Sequence, residues 1–146
     1  MKRIISFICL LALLLAGCST EWAQTAPTIP EGDYTHGVYQ LTFSRKLLSN
    51  SSVGNHWSFT YTYNDEVIQN GYTITYPLNT FSFQPINVEV REKDIFDDIG
   101  TGSLLVAMCD GGTGKTEVTV TETHGCHKGN TAVWEIKCHV KLIGRQ

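Results

Sequence analysis

The sequence predicts an all-β protein, an antiparallel β-sandwich of about eight strands. Apolar and polar residues alternate in several short runs. The clearest run covers residues 56–64, where Trp57, Phe59, Tyr61 and Tyr63 are separated by serine and threonine. A period of two with aromatic and β-branched residues is typical of a half-buried strand. Asn, Asp and Gly separate the runs, and no run has the apolar period of an amphipathic helix.

Each predicted strand is defined by the apolar side chains that it places on one face. In chain order the predicted strands cover residues 38–44, 56–64, 71–76, 80–84, 86–91, 104–109, 116–124 and 131–143. The first strand carries Tyr39, Leu41 and Phe43 on one face. The third carries Tyr72, Ile74 and Tyr76, the fourth Phe81 and Phe83, and the fifth Ile86, Val88 and Val90. In the last strand Cys138 shares a face with Ile136 and Val140, which predicts a buried core thiol.

The first 17 residues are expected to be a removable export signal. Lys2 and Arg3 form a short positive segment, and the chain then runs apolar from Ile4 to Ala16. A positive start, a short apolar stretch and small residues at the cleavage point are typical of a secretory signal. The apolar stretch is shorter than the roughly 20 residues that a transmembrane helix needs.

The segment Leu15-Ala16-Gly17-Cys18 resembles the lipobox of bacterial lipoproteins. The resemblance implies that the Cys18 thiol carries a diacylglycerol, that cleavage precedes it and that the new amine is acylated, with palmitate as a typical chain. Two or three acyl chains anchor a protein stably to a bilayer. Ser19 resembles the pattern sorted to the outer membrane of a cell with two membranes. In a cell with one membrane, the outer face of that membrane is expected.

Residues 18–32 are predicted to be a flexible tether, and residues 33–146 the sandwich domain. The tether is polar, contains Pro27 and Pro30, and lacks apolar periodicity. Cleavage removes Lys2 and Arg3, which leaves 9 basic residues of 11 against 14 acidic ones and a net charge of −5. That sign argues against nucleic-acid binding, which normally uses a basic patch, and against polybasic attraction to anionic lipid.

Four acids stand close together after a predicted strand, at Glu92, Asp94, Asp97 and Asp98. With Ile99-Gly100, the stretch resembles the third calcium loop of C2-type sandwiches, in which Glu92, Asp94 and Asp98 match the acidic positions. The resemblance implies a calcium site, since calcium takes six to eight oxygen ligands. The region 47–55, which corresponds to the family's first calcium loop, offers only asparagines and serines. A solvated acidic loop is therefore the alternative interpretation.

A second candidate site consists of His124, Cys126, His127 and Cys138, residue types that bind zinc. If residues 125–130 turn a hairpin, Cys138 lies seven strand residues beyond Thr131. At ~3.3 Å per residue, Cys126 and Cys138 would be more than about 20 Å apart. Zinc is thus the less favoured alternative.

The mature chain keeps three cysteines, Cys109, Cys126 and Cys138, so at most one disulfide can form. A hairpin about Gly112 would set Cys109 opposite Thr116, and the next hairpin would set Cys138 opposite Glu117. Cys109 and Cys138 would then lie two strands apart, with Cα atoms ~10 Å apart, beyond the disulfide limit of ~7 Å.

The expected function is that of a membrane-anchored lipoprotein with a binding or structural domain, whose partner is a protein or another envelope component. The resemblance to the C2-type calcium loop implies calcium as a cofactor for this contact. No nucleophile-elbow motif places a catalytic set on a defined turn, so no enzymatic activity is expected. The alternative is a metal- or redox-handling envelope protein that uses the histidines and cysteines of residues 124–139.

Overall fold

The computed structural model describes residues 32–146; the predicted signal, the lipidation candidate Cys18 and residues 19–31 of the tether lie outside the described residues. Eight strands are present: β1 His36–Asn50, β2 Trp57–Tyr63, β3 Glu66–Ile68, β4 Thr73–Pro77, β5 Phe83–Glu92, β6 Asp98–Ala107, β7 Thr113–Thr121 and β8 Thr131–Arg145. Within residues 32–146 there is no helix long and apolar enough to cross a membrane.

The strands form two four-stranded sheets, with the orders β4-β1-β8-β7 and β3-β2-β5-β6. Every pairing in both sheets is antiparallel. The core lies between the sheets, where alternate side chains of each strand meet. The predicted fold class, an eight-stranded antiparallel β-sandwich, is confirmed.

The core is built mainly from branched aliphatic residues on the inner faces of the central strands. The fully buried residues include Leu41, Ile86, Val88, Val90, Leu104, Val106, Val118, Val120, Ile136 and Cys138. Each set recurs at every second position of its strand, which matches the period-two prediction. Cys138 is 0% exposed, so the predicted core thiol is confirmed.

Two of the predicted strands are one strand in the structure. Residues 80–84 and 86–91 were expected to be separate, but β5 runs unbroken from Phe83 to Glu92 through Pro85. Strand β2 pairs with β5 only over Asn87–Glu92, so β5 has an unpaired edge at Pro85. A strand tolerates proline at such an edge because no ladder hydrogen bond is lost. The short β3 was not predicted, since it is only three residues long.

Strand β6 begins six residues earlier than predicted, at Asp98 instead of residue 104. The resemblance to a calcium loop placed Gly100 in that loop, but Gly100 and Gly102 both lie within the strand. A Cβ atom at Gly100 would overlap the backbone oxygen of Thr119, and one at Gly102 would lie 2.9 Å from a Val118 methyl. These glycines therefore let β6 approach β7 of the opposite sheet closely.

The predicted hairpin between β6 and β7 is wrong. Strand β6 pairs only with β5 in one sheet, and β7 pairs only with β8 in the other. The connection 108–112 therefore crosses from one sheet to the other. Cys138 is opposite Gly114, not Glu117. The two edge strands β6 and β7 pack against each other across the sandwich instead of sharing a ladder. Sequence alternation alone does not distinguish these arrangements, because both bury the same faces.

The sandwich has two ends with different connections. At the loop end lie the connections 51–56, 93–97 and 122–130. At the terminal end lie the first described residues, the last residue Gln146, and the connections 78–82 and 108–112. Backbone hydrogen bonds join the terminal end, from Thr35 to Gln146 at 2.9 Å and from Leu78 to Thr35 at 3.0 Å.

Candidate functional site

The loop end holds both predicted sites except Cys138, and hydrogen bonds join its three connections. The Lys93 amide donates to the His56 carbonyl at 2.8 Å, which links the first connection to the second. The Thr123 amide donates to Asp98 Oδ1 at 3.0 Å, which links the second to the third. The 93–97 hairpin is thereby held on both sides.

Glu92 anchors the first connection from the end of β5. Its side chain is only 3% exposed, and its Oε1 accepts a long hydrogen bond of 3.5 Å from the His56 amide. A Cβ atom at Gly54 would overlap this carboxylate, so glycine leaves the space that Glu92 occupies. The glycine and the buried acid thus form one structural unit.

Asp98 has the same role on the opposite side of the hairpin. It is also 3% exposed, and its Oδ1 accepts hydrogen bonds from the Thr123 amide at 3.0 Å and the Thr123 hydroxyl at 2.6 Å. Hydrogen bonds to a carboxylate are stronger than those between neutral groups. Asp98 therefore fastens the β7–β8 connection to the base of the hairpin.

Asp94 and Asp97 have other partners. Asp94 Oδ1 accepts a hydrogen bond of 2.6 Å from the Phe96 amide and shapes the turn. Asp97 Oδ2 forms an ion pair of 2.9 Å with Arg91, and Arg91 also contacts Glu89 at 2.9 Å. Asp97 therefore takes part in a charge network with β5.

The four predicted calcium ligands are thus close in sequence but engaged separately. Glu92 and Asp98 are opposite each other in the β5–β6 ladder, yet each is occupied by a neighbouring connection. Among residues 32–146, no group of three or more His, Cys, Asp or Glu side chains is placed to hold a metal ion. Calcium binding stays a prediction, and it would require these acids to exchange protein hydrogen bonds for the ion.

The tip of the hairpin is apolar and exposed. Ile95 is 90% exposed and Phe96 is 57% exposed. The Phe96 ring stacks on the His124 ring, with centroids 4.7 Å apart and an interplanar angle of 24°. A cleft of about 210 Å³ lies beside this pair, lined also by Asp94, Asp98 and Glu122. A large apolar tip on a firmly held base is typical of a binding loop.

The second predicted site is divided between the surface and the core. His124, Cys126 and His127 belong to the 122–130 connection, where Cys126 is exposed. Cys138 is buried in β8, seven residues beyond Thr131, which is about 23 Å along a strand at ~3.3 Å per residue. The structure therefore does not bring Cys138 together with the loop residues.

The chemistry of Cys138 also differs from that of a metal ligand. Burial raises the pKa of its thiol to about 12, so the thiol stays protonated at neutral pH, whereas zinc binds the thiolate. Cys109, Cys126 and Cys138 are all free thiols. The zinc and redox alternative gains no support from these positions.

Sequence reasoning did not identify the residues that hold the hairpin. Gly54 and Thr123 carry no motif, and their roles follow from contacts with acids more than 20 positions away in the chain. The sequence also predicted only part of an aromatic cluster near the loop end. Trp134 makes edge contacts with Trp57 at 5.4 Å and Phe59 at 4.9 Å, and Arg45 lies over the Phe59 ring. Sequence alternation placed the β2 aromatics and Trp134 on the faces of their strands, but it did not indicate that they contact one another.

Comparison with protein-family models, with curated proteins and with solved structures finds no match. The function proposed below therefore rests on the residues of this chain and on their arrangement.

Proposed function

We propose that this chain is a lipid-anchored envelope protein whose sandwich domain binds a protein or another envelope component through its loop end. The anchor is Cys18 of the lipobox-like segment. The role is binding rather than catalysis. The single observation that carries the contact surface is the exposure of Ile95 and Phe96, at 90% and 57%, on a hairpin with buried acids at its base.

The energetics of such a tip favour binding. Large apolar side chains exposed to water gain free energy when a partner covers them, by about 25 cal/mol per Å². The hydrogen bonds of Asp98 and the close fit of Glu92 against Gly54 hold the loop before a partner arrives. A preorganised loop loses little conformational entropy on binding.

The position of the tip agrees with an anchored protein. The described chain begins at the terminal end, and β1 and β8 each have 15 residues, or about 50 Å at ~3.3 Å per residue. Counted along the chain, the loop end is therefore farther from Cys18 than the terminal end is. A partner in the periplasm or outside the cell would find it accessible.

The anchor is tested by labelling cells with radioactive palmitate. The wild-type chain is expected to carry the label and to sediment with membranes, and Cys18→Ser is expected to lose both properties. Cys9→Ser, within the removable signal, is the matched control and should retain the label. A wild-type chain without palmitate would contradict the anchoring.

The contact surface is tested by chemical crosslinking in intact cells, followed by purification of the lipoprotein. Ile95→Ser/Phe96→Ser is expected to abolish a crosslinked species that wild type forms. Val67→Ser is the control, because Val67 is 70% exposed but belongs to β3, away from the hairpin. A species that persists in the tip variant, or disappears equally in the control, would contradict a role for the loop end.

The calcium-assisted form of this proposal is tested by thermal melting of the whole chain during calcium titration. A rise in melting temperature that disappears in Asp94→Asn/Asp98→Asn would support a metal-dependent contact. Asp65→Asn, an acid in the turn between β2 and β3, is the control. No rise at millimolar calcium would leave binding through the apolar tip alone.

A further inference from the structure

A second exposed apolar surface lies at the terminal end and on the adjoining outer face of the β5–β6 pair. Phe81, Phe83 and Leu105 are 68%, 55% and 62% exposed. The Phe81 and Phe83 rings are in edge contact, with centroids 5.4 Å apart. Pro85, opposite Leu105 in the ladder, continues the surface. We call these four residues the terminal patch. Three large apolar side chains grouped in this way point to a contact with an apolar phase.

The terminal patch lies within two charge-free stretches of the domain. Residues 77–88 and 99–109 contain no Asp, Glu, Lys or Arg, although the mature chain has a net charge of −5. These two segments pair as β5 and β6, so the charge-free stretches are joined into one surface. An acidic domain is repelled by anionic lipid, and a surface without charged residues adds nothing to this repulsion.

An apolar cleft adjoins the terminal patch. It has a volume of about 340 Å³, and its lining is mainly apolar, with Leu78, Phe81, Met108 and Leu142, while Asp110 supplies the one charged side chain. The patch and the cleft share Phe81. The apolar surface at this end is therefore continuous from the outer face of the sheet to the space between the connections 78–82 and 108–112.

The patch is also close to the anchor along the chain. The described chain begins at Gly32, 14 positions after Cys18, and enters the domain beside the connection 78–82, where the Leu78 amide donates to the Thr35 carbonyl. Fourteen residues span at most about 50 Å. An acylated Cys18 would therefore keep the terminal end at a high effective concentration near the bilayer.

A second copy of the chain fits this patch less well. A stable dimer buries about 800 Å² on each partner. Three side chains of this kind, each exposed by about half to two-thirds, present less than about 500 Å². Contact with a bilayer needs no minimum buried area, because the acyl anchor already supplies most of the attachment.

We propose that the terminal patch rests on the lipid bilayer that holds the anchor, with Phe81, Phe83 and Leu105 in contact with the lipid interface. This inference rests on the anchoring proposed above. It gives the domain a defined orientation, in which the terminal end faces the membrane and the Ile95–Phe96 tip faces away from it.

The test is photo-crosslinking of the full chain in bacterial cells that process lipoproteins and whose phospholipids carry radioactive phosphate. In one variant p-benzoylphenylalanine replaces Phe83, and in the control it replaces Phe96. The two positions are matched, since both are phenylalanines, exposed by 55% and 57%, at opposite ends of the domain. Position 81 is a third site, in a connection rather than a strand. Protection of Cys138 from alkylation verifies folding of each variant.

We expect a phospholipid adduct at position 83 or 81 in at least several-fold higher yield than at position 96. Equal yields at the two ends would overturn the proposal. So would a main product of twice the chain mass, which identifies a second copy, or a crosslink to residues 19–31, which identifies the tether as the occupant. Palmitate labelling of the same cells separates the two proposals. Labelled chain without lipid adducts refutes only the orientation, whereas unlabelled chain refutes the anchor.

Discussion

The two ends of the sandwich expose the same kind of side chain, but charged residues flank it at one end and uncharged residues at the other. Phe96 at the loop end is 57% exposed and Phe83 near the terminal end is 55% exposed. Four acids and two basic residues, Arg91 and Lys93, lie within five positions of Phe96, whereas no charged residue lies within five positions of Phe83. Hydrophobic attraction is non-directional, so the charges around an apolar residue decide which partner it can approach. The acidic tip suits a partner in water, and the charge-free patch suits a lipid surface.

The ends also differ in how they are held. At the loop end the buried carboxylates of Glu92 and Asp98 bind neighbouring connections. At the terminal end most links are backbone hydrogen bonds, such as Met108 to Ser82 at 3.0 Å, and one carboxylate, Asp110, accepts from the Leu142 amide at 2.9 Å. The loop end therefore depends on particular side chains, and single substitutions there can release a connection.

The largest effect on stability is expected from Gly100→Ala, near the loop end. The new methyl group would overlap the backbone oxygen of Thr119, and overpacking of this kind costs about 1–3 kcal/mol. We expect a loss near the upper limit, measured by urea unfolding. Gly144→Ala, in β8 at the terminal end, is the control, since the nearest atom to its Cβ would be Val38 Cβ at 3.7 Å, an ordinary van der Waals contact. Equal losses would show that β6 and β7 are not in close contact.

Removal of the carboxylate at the base of the hairpin is expected to have the next largest effect. Asp98→Ala leaves the Thr123 amide and hydroxyl without their acceptor, at a cost of about 2 kcal/mol. Asp97→Ala removes only a partly exposed ion pair with Arg91 and should cost less than about 0.5 kcal/mol. If the two neighbours gave the same loss of unfolding free energy, Asp98 would not anchor the loop end.

The three thiols provide a probe of both ends and of the core. Cys126 is exposed at the loop end, Cys109 is half-buried at the terminal end, and Cys138 is buried in β8. Iodoacetamide should therefore modify Cys126 first, Cys109 more slowly, and Cys138 only after unfolding, because burial raises the pKa of Cys138 to about 12. Mass spectrometry of alkylated peptides gives the order. Early modification of Cys138 would mean that the sandwich opens at β8.

The smallest effect on stability is expected from Glu135, on the outer face of β8 between the two ends. Hydrogen bonds from Lys115 at 2.6 Å and Lys137 at 2.8 Å lower the pKa of Glu135 from its ordinary 4.5 to about 2. A lowered pKa in the folded state adds stability above pH 4.5, which is lost as the pH falls towards 2. The difference in melting temperature between wild type and Glu135→Gln should therefore shrink over this interval. A constant difference from pH 6 to pH 2 would exclude this linkage.

Sequence patterns identified much of the fold because period-two alternation is a local property. They placed Cys138 in the core and predicted eight strands, although residues 80–91 were divided into two strands and β3 was missed. They also located the acidic hairpin. They did not identify what its acids contact, because Gly54 and Thr123 lie about 38 and 25 positions from their acidic partners in the chain, and loop-to-loop contacts have no periodic signal.

The sequence alone determined the strand-rich class, the inner faces of the strands, the acidic balance and the lipobox-like segment that motivates the anchor. Each of these depends on neighbouring residues or on composition. Only the tertiary structure decided that β6 and β7 belong to different sheets, that Glu92 and Asp98 are buried structural acids, and that the two exposed apolar surfaces lie towards opposite ends of the strands. The physical reason is that strand order and loop packing depend on contacts between distant residues, and identical alternation is compatible with several such arrangements.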